Sequence, residues 1–151
     1  MHWLAKVLLG AAAWESGWYL HRRAKRADVY ALAQERASAT GKPLLVVGAP
    51  DGGVTAGYGC GDLVVDIVQS NECPVSYALD ITKPLPFDDD SHVVFVSCVL
   101  EYVDDANAAL AELRRISGTD LFCVRVEPWT ITAYLYPGAQ RTLPGNLPEL
   151  K

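Results

Sequence analysis

Residues 92–100, HVVFVSCVL, constrain this chain more than any other stretch. They form an unbroken apolar run, rich in β-branched and aromatic residues, entered from an acid-rich turn. Such a run reads as a strand buried on both faces, which a parallel sheet covered by helices requires. What flanks it fits. Before it, residues 76–81 (SYALDI) read as a short strand closing at Asp80. The turn KPLPFDDD follows, whose prolines and acids do not belong inside a sheet. After it, Asp104 or Asp105 caps a helix that places Ala106, Ala109, Leu110, Leu113 and Ile116 on one face. Arg114 and Arg115 suit its C-terminal end and Gly118 stops it. Strand, acid, turn, buried strand, helix is the alternation of a doubly wound α/β sheet.

Other segments extend that sheet. PLLVVGA (43–49) reads as the first strand, GDLVVDIV (61–68) as the second with its acid at Asp66, and DLFCVRV (120–126) as the fifth. Pro128 ends ladder pairing, and the last fifteen residues hold three prolines and two glycines, as a lid, a docking arm or an ordered loop would. At 151 residues the chain can bury one core, with length for about five strands. The organisation expected is an anchor helix with a basic flank over residues 1–26, an α/β domain over 27–130 and a tail over 131–151.

The run LDITKPLPFDDDSHVVFVSCVLEYVDDANAALAELRRIS (79–117) resembles the middle of the class I S-adenosylmethionine-dependent methyltransferases, the Rossmann-like small-molecule type. The acid-ended third strand, the LPF-acid-acid-S turn, the VLEYVDD strand exit and the AL-EL-RI helix occur there in the same order. The resemblance spans roughly residues 27–130 and implies a Rossmann-like methyltransferase-type sheet, reduced and divergent. It also implies S-adenosylmethionine as cofactor, lying across the carboxyl ends of strands one to four.

By that resemblance, Gly48 and Gly52 in the loop GAPDGGVTAGYGCG let the backbone approach the cofactor's methionine part. Asp66 accepts the ribose hydroxyls and Asp80 the adenine amine, with the Ile81 N–H beside it; Ser97 stands near the methyl-donor end. The loop departs from the family pattern. Val46 stands where an acid is usual, Pro50 where a glycine is usual, and there is little room for the family's helix before the second strand. No residue is assigned a catalytic role, since methyl transfer depends mainly on alignment. His92 and Cys98 read as structural. Asp88, Asp89 and Asp90 read as a solvated turn, and no metal is expected.

Charge and the N-terminus set the partners. Residues 1–40 carry six Lys/Arg against three acids, and the remainder seven against fifteen. An acidic globular part repels phosphate backbones, so nucleic acid is not expected as a partner. Residues 3–20 are apolar apart from Lys6, Glu15 and Ser16, and as a helix would reach about 27 Å, close to the ~30 Å hydrocarbon thickness. Trp3 sits at one end, Trp14, Trp18 and Tyr19 toward the other, and HRRAKR follows. The expectation is a membrane-attached chain, by a transmembrane or interfacial helix, with its α/β domain on the cytoplasmic side. A helix packed on a protein partner, through this segment or the tail, is the competing reading. Cys60, Cys73, Cys98 and Cys123 show no metal spacing, and reduced thiols are expected. Two functions follow: a membrane-attached methyltransferase-like protein, or a catalytically inactive methyltransferase fold serving as a structural subunit of an assembly.

Overall fold

In a computed structural model, residues 2–50 and 56–124 are described. The order is α1 (His2–Thr40), β1 (Leu44–Val47), β2 (Leu63–Asp66), β3 (Ser76–Ala78), β4 (Val93–Ser97), α2 (Ala106–Ser117) and β5 (Leu121–Val124). The strands form one sheet in the order β3-β2-β1-β4-β5, every neighbouring pair parallel. This is a Rossmann-like α/β sheet, and its strand order reverses between β1 and β4. The expected tail and Pro128 lie outside the described residues.

Alternation along the strands builds two cores. Leu45, Val47, Val94, Val96 and Cys123 face α2, meeting Ala109, Leu110, Leu113 and Ile116. Leu44, Val46, Val93, Phe95 and Val124 face α1, meeting Val29 and Ala33. β4 is buried at every position, as its unbroken apolar run requires. Helix α2 is capped by Asp105, whose Oδ1 accepts from the Ala108 N–H at 2.9 Å. Gly118, at φ +59°, ends it by donating its N–H to Arg114 O.

The N-terminal helix is one continuous element of 39 residues, running unbroken through residues 26 and 27 to Thr40, and its C-terminal half packs on the sheet. No described helix is long and apolar enough to cross a membrane. The transmembrane reading of residues 3–20 is therefore corrected: Lys6, Glu15 and the small residues between dilute an otherwise apolar run. At its C-terminal end, α1 is pinned by Arg36 Nε to Asp120 Oδ1 at 2.7 Å, just before β5. Lys42 Nζ reaches the other Asp120 oxygen at 3.3 Å and Asp90 at 2.6 Å. Further up, a Cβ on Gly57 would lie 2.7 Å from Arg23 O, so Arg23 is level with the strand exits. Residues 2–22 add about 30 Å of helix ahead of Val29, the first buried residue of α1. Trp3, Leu4, Val7, Leu8, Leu9 and Leu20 are exposed on that extension.

The cysteines bring a second correction. Cys60 and Cys73 form a disulfide, and only Cys98 and Cys123 are free thiols. Among the described residues the single crossover helix is α2, between β4 and β5. On the α1 side, Val64 of β2 is covered by Cys73 and Cys60 instead. On the α2 side, Ile81 and Leu85 of the β3–β4 connection close over Val65.

Candidate functional site

The carboxyl ends of β1, β2 and β4 and the loops that follow them enclose a cleft of about 500 Å³. It lies at the reversal of strand order, where α/β sheets place ligands. Gly48, Asp66, Asp80, Ile81 and Ser97 all line it. Gly52 lies outside the described residues. Tyr58, Ile67, Leu79, Thr82, Val99 and Tyr102 complete much of the wall.

Gly48, just past β1, packs tightly against the exit of β4. Its φ is +93°, and a Cβ there would sit 2.6 Å from Val99 Cγ2 and 2.9 Å from Ser97 O. Only glycine fits both the dihedral and the gap. Opposite it, Cys98 adopts φ +54°, rare for a residue with a side chain, and donates its N–H to Val124 O at 2.8 Å. Burial raises the Cys98 thiol above its ordinary range, with Glu101 adding to the effect, so it is held protonated. Cys123 is pushed by burial to about 12. Neither thiol is poised as a nucleophile.

The two acids are held differently. Asp66 Oδ2 accepts from the Ala49 N–H at 2.7 Å and its Oδ1 from its neighbour Ile67 at 2.6 Å. This carboxylate therefore clasps the β1 exit loop to the end of β2. Each oxygen keeps a second lone pair, so hydroxyl donors can still be received. Asp80 is exposed and builds a local turn: its Oδ1 accepts from the Thr82 hydroxyl at 2.6 Å and the Thr82 N–H at 2.9 Å. The Thr82 hydroxyl bond, then that N–H, hold the Asp80 carboxyl below its ordinary range. Ile81 is buried in the core, so it fixes Asp80 at the rim.

Tyr58 forms a wall that sequence reasoning missed. Its hydroxyl donates toward Gly48 O at 3.2 Å and Ala49 O at 3.3 Å. Its ring packs on Phe95, with centroids 5.2 Å apart, and Tyr30 of α1 packs on the same ring at 5.2 Å. Burial raises the Tyr58 hydroxyl above its ordinary range. An isolated tyrosine among glycines gave no periodic signal; only the fold brings it under α1.

The remaining candidates lie elsewhere. His92 sits at the opposite end of β4, its Nδ1 2.7 Å from Ser91 Oγ and its ring against Phe87. Burial lowers its pKa. Asp89 pairs with Arg115 and Asp90 with Lys42, so two of the three consecutive acids tie down loops. Among the described residues no group of His, Cys, Asp and Glu could hold a metal ion.

No protein family, no curated protein and no solved structure matches the chain.

Proposed function

We propose that the cleft binds S-adenosylmethionine and that the chain is a methyltransferase-like protein held against a membrane surface by the first half of α1. The observation that carries the reading is the charge of the cleft. Asp66, Asp80 and Asp104 line it and no described lining residue is Lys or Arg; Arg26 of α1 stands beside Cys98 and Tyr58 of the wall, which leaves the acids in excess. Dinucleotides and nucleoside phosphates carry anions that such a wall repels. A phosphate-free nucleoside bearing ammonium and sulfonium charges is the complement, and its hydroxyls and amine find acceptors in Asp66 and Asp80. Ile67, Leu79 and Ile81 offer apolar surface for a base, and 500 Å³ suits a small molecule.

The chain's own residues then bind and orient. Asp80, pre-set by Thr82, accepts an exocyclic amine at the rim. Asp66 receives ribose hydroxyls on its unused lone pairs while holding Ala49, and Gly48, packed against the β4 exit, shapes the floor beside it. S-adenosylmethionine, when bound, supplies an electrophilic methyl group. Displacement at that group needs alignment and no general base, in keeping with a cleft that holds no activated nucleophile. The apolar extension of α1 rises from the rim of the cleft, with half-buried Arg22, Arg23 and Lys25 at its base. Exposed Trp and Leu beside a basic cluster suit an anionic bilayer surface, which would put a lipid-like acceptor near the cleft.

One observation favours the rival, an inactive fold serving as a structural subunit. Both Asp66 oxygens already receive N–H groups of the chain itself. A thermal-shift panel separates the readings. At about 1 mM ligand, S-adenosylmethionine and S-adenosylhomocysteine should raise the melting temperature while NAD and ATP do not. A shift with NAD or ATP alone would overturn the proposed ligand, and no shift with any would favour the structural subunit.

A further inference from the structure

We propose that the Cys60–Cys73 disulfide is a redox latch behind the Tyr58 wall of the cleft, opened by a small dithiol or a dithiol protein. The bond joins the β1–β2 connection to the β2–β3 connection on the face of β2 that no helix covers. Tyr58 stands two residues before Cys60 and lines the cleft. Besides the bond, its segment is held by the Tyr58 hydroxyl on Gly48 O and Ala49 O at 3.2 and 3.3 Å, by the Tyr58 ring on Phe95, by Gly57 close against Arg23, and by the Gly61 N–H on the Tyr30 hydroxyl at 3.0 Å. No strand pairing holds residues 56–61. On the other side, Cys73 is buried and set by Ser70, whose Oγ accepts the Cys73 N–H at 3.3 Å and the Glu72 N–H at 3.2 Å. The two half-cystines thus differ. Cys73 is fixed and buried, whereas Cys60 is partly exposed on a glycine-flanked segment.

The strands do not depend on the bond. The Asp62 carboxylate and N–H clamp Leu44 at 2.7 and 2.9 Å, and β2 is paired on both sides. Opening the bond should therefore loosen residues 56–61 and leave the sheet in register. The exchange balances: a dithiol's thiolate attacks Cys60 sulfur, forms a mixed disulfide and expels the Cys73 thiolate, which takes up a proton. The second thiol then closes on the first and releases Cys60. The protein's disulfide is reduced by two electrons and two protons, and the dithiol is oxidised to its own disulfide. Free Cys98 and Cys123 are held protonated by burial and do not compete as attacking groups.

As regulation of the cleft, the latch rests on the ligand reading above, so the test reads structure and ligand separately. Hydrogen exchange is followed on the full chain as isolated, after treatment with dithiothreitol, and after reoxidation; Cys60→Ser serves as a variant lacking the bond. The isolated chain should show two titratable thiols on unfolding, and four after reduction. Amides of residues 56–61 should exchange at least about tenfold faster in the reduced chain and in Cys60→Ser. Amides of β1, β4 and α2 should stay unchanged, and reoxidation should restore the wild type. S-adenosylhomocysteine affinity should fall several-fold on reduction. Four thiols in the protein as isolated, unchanged exchange at 56–61, or loss of protection everywhere together would overturn the latch. Local loosening with no ligand bound in either state would leave the latch standing and defeat the ligand reading instead.

Discussion

Replacing Gly48 by alanine tests the close approach of β1 and β4 on which the cleft depends. Two contributions add. A side chain at φ +93° meets the penalty of the left-handed region, about 1–2 kcal/mol. The new Cβ would also lie 2.6 Å from Val99 Cγ2 and 2.9 Å from Ser97 O. The Val99 methyl can rotate away, but the Ser97 carbonyl belongs to buried β4, so the strand exits must part; overpacking of this kind costs about 1–3 kcal/mol. The sum, roughly 2–5 kcal/mol, is a large share of the ~5–15 kcal/mol that holds a small domain together. Gly41→Ala supplies the control. Gly41 has φ +71°, yet nothing lies within 4 Å of its would-be Cβ, so only the dihedral contribution remains. Urea unfolding of both variants, with slopes checked for equality, gives the comparison directly. Gly48→Ala should be less stable than Gly41→Ala by about 1 kcal/mol or more. Equal losses would mean that the strand exits are not packed against each other and that the cleft has been drawn too narrow.

Three further outcomes follow from the same structure. Leu110 is enclosed between α2 and the sheet, so Leu110→Ala should lower unfolding stability by roughly 2–5 kcal/mol; a urea midpoint equivalent to less than ~1 kcal/mol would displace the strand–helix unit. Burial alone would raise the Asp120 carboxyl, but Arg36 and then Lys42 more than offset it and hold the pKa below the ordinary value. Its stabilising contribution is then complete above the unfolded value near 3.8 and lost as pH falls through the folded one; Asp120→Asn should flatten the acid limb of the stability curve, and an unchanged limb would remove Asp120 from the account. Full-length protein should float with anionic vesicles, and protein lacking residues 2–20 should not; equal flotation would refute docking through α1.

Much of the sheet was legible because parallel strands buried on both faces leave uninterrupted apolar runs. Residues 92–100 announced β4, and 43–49 announced β1, without help from distant contacts. Helix α2 carried its own cap, stripe and stop. What lay hidden depended on contacts across the fold. Residues 3–20 read as a membrane span because their apolar run ends at a basic cluster, yet Lys6, Glu15 and the small residues between leave no described helix apolar enough to cross. Cys60 and Cys73 are 13 residues apart with no motif, and the course of β2 between them brings them together. Asp66 and Asp80 were visible as strand-end acids. That Asp66 also clasps Ala49, and that Thr82 pre-sets Asp80, could be seen only in three dimensions.

Whether the acid-lined cleft takes an adenosyl ligand at Asp80 decides the proposed function. Calorimetric titration of S-adenosylhomocysteine into the wild-type chain and into Asp80→Ala tests this directly, because the ligand lacks the reactive methyl and reports binding alone. Binding to the wild type should be saturable below about 1 mM and weakened roughly five- to hundredfold by Asp80→Ala. No saturable heat from the wild type, or binding that Asp80→Ala leaves untouched, would contradict the proposed function.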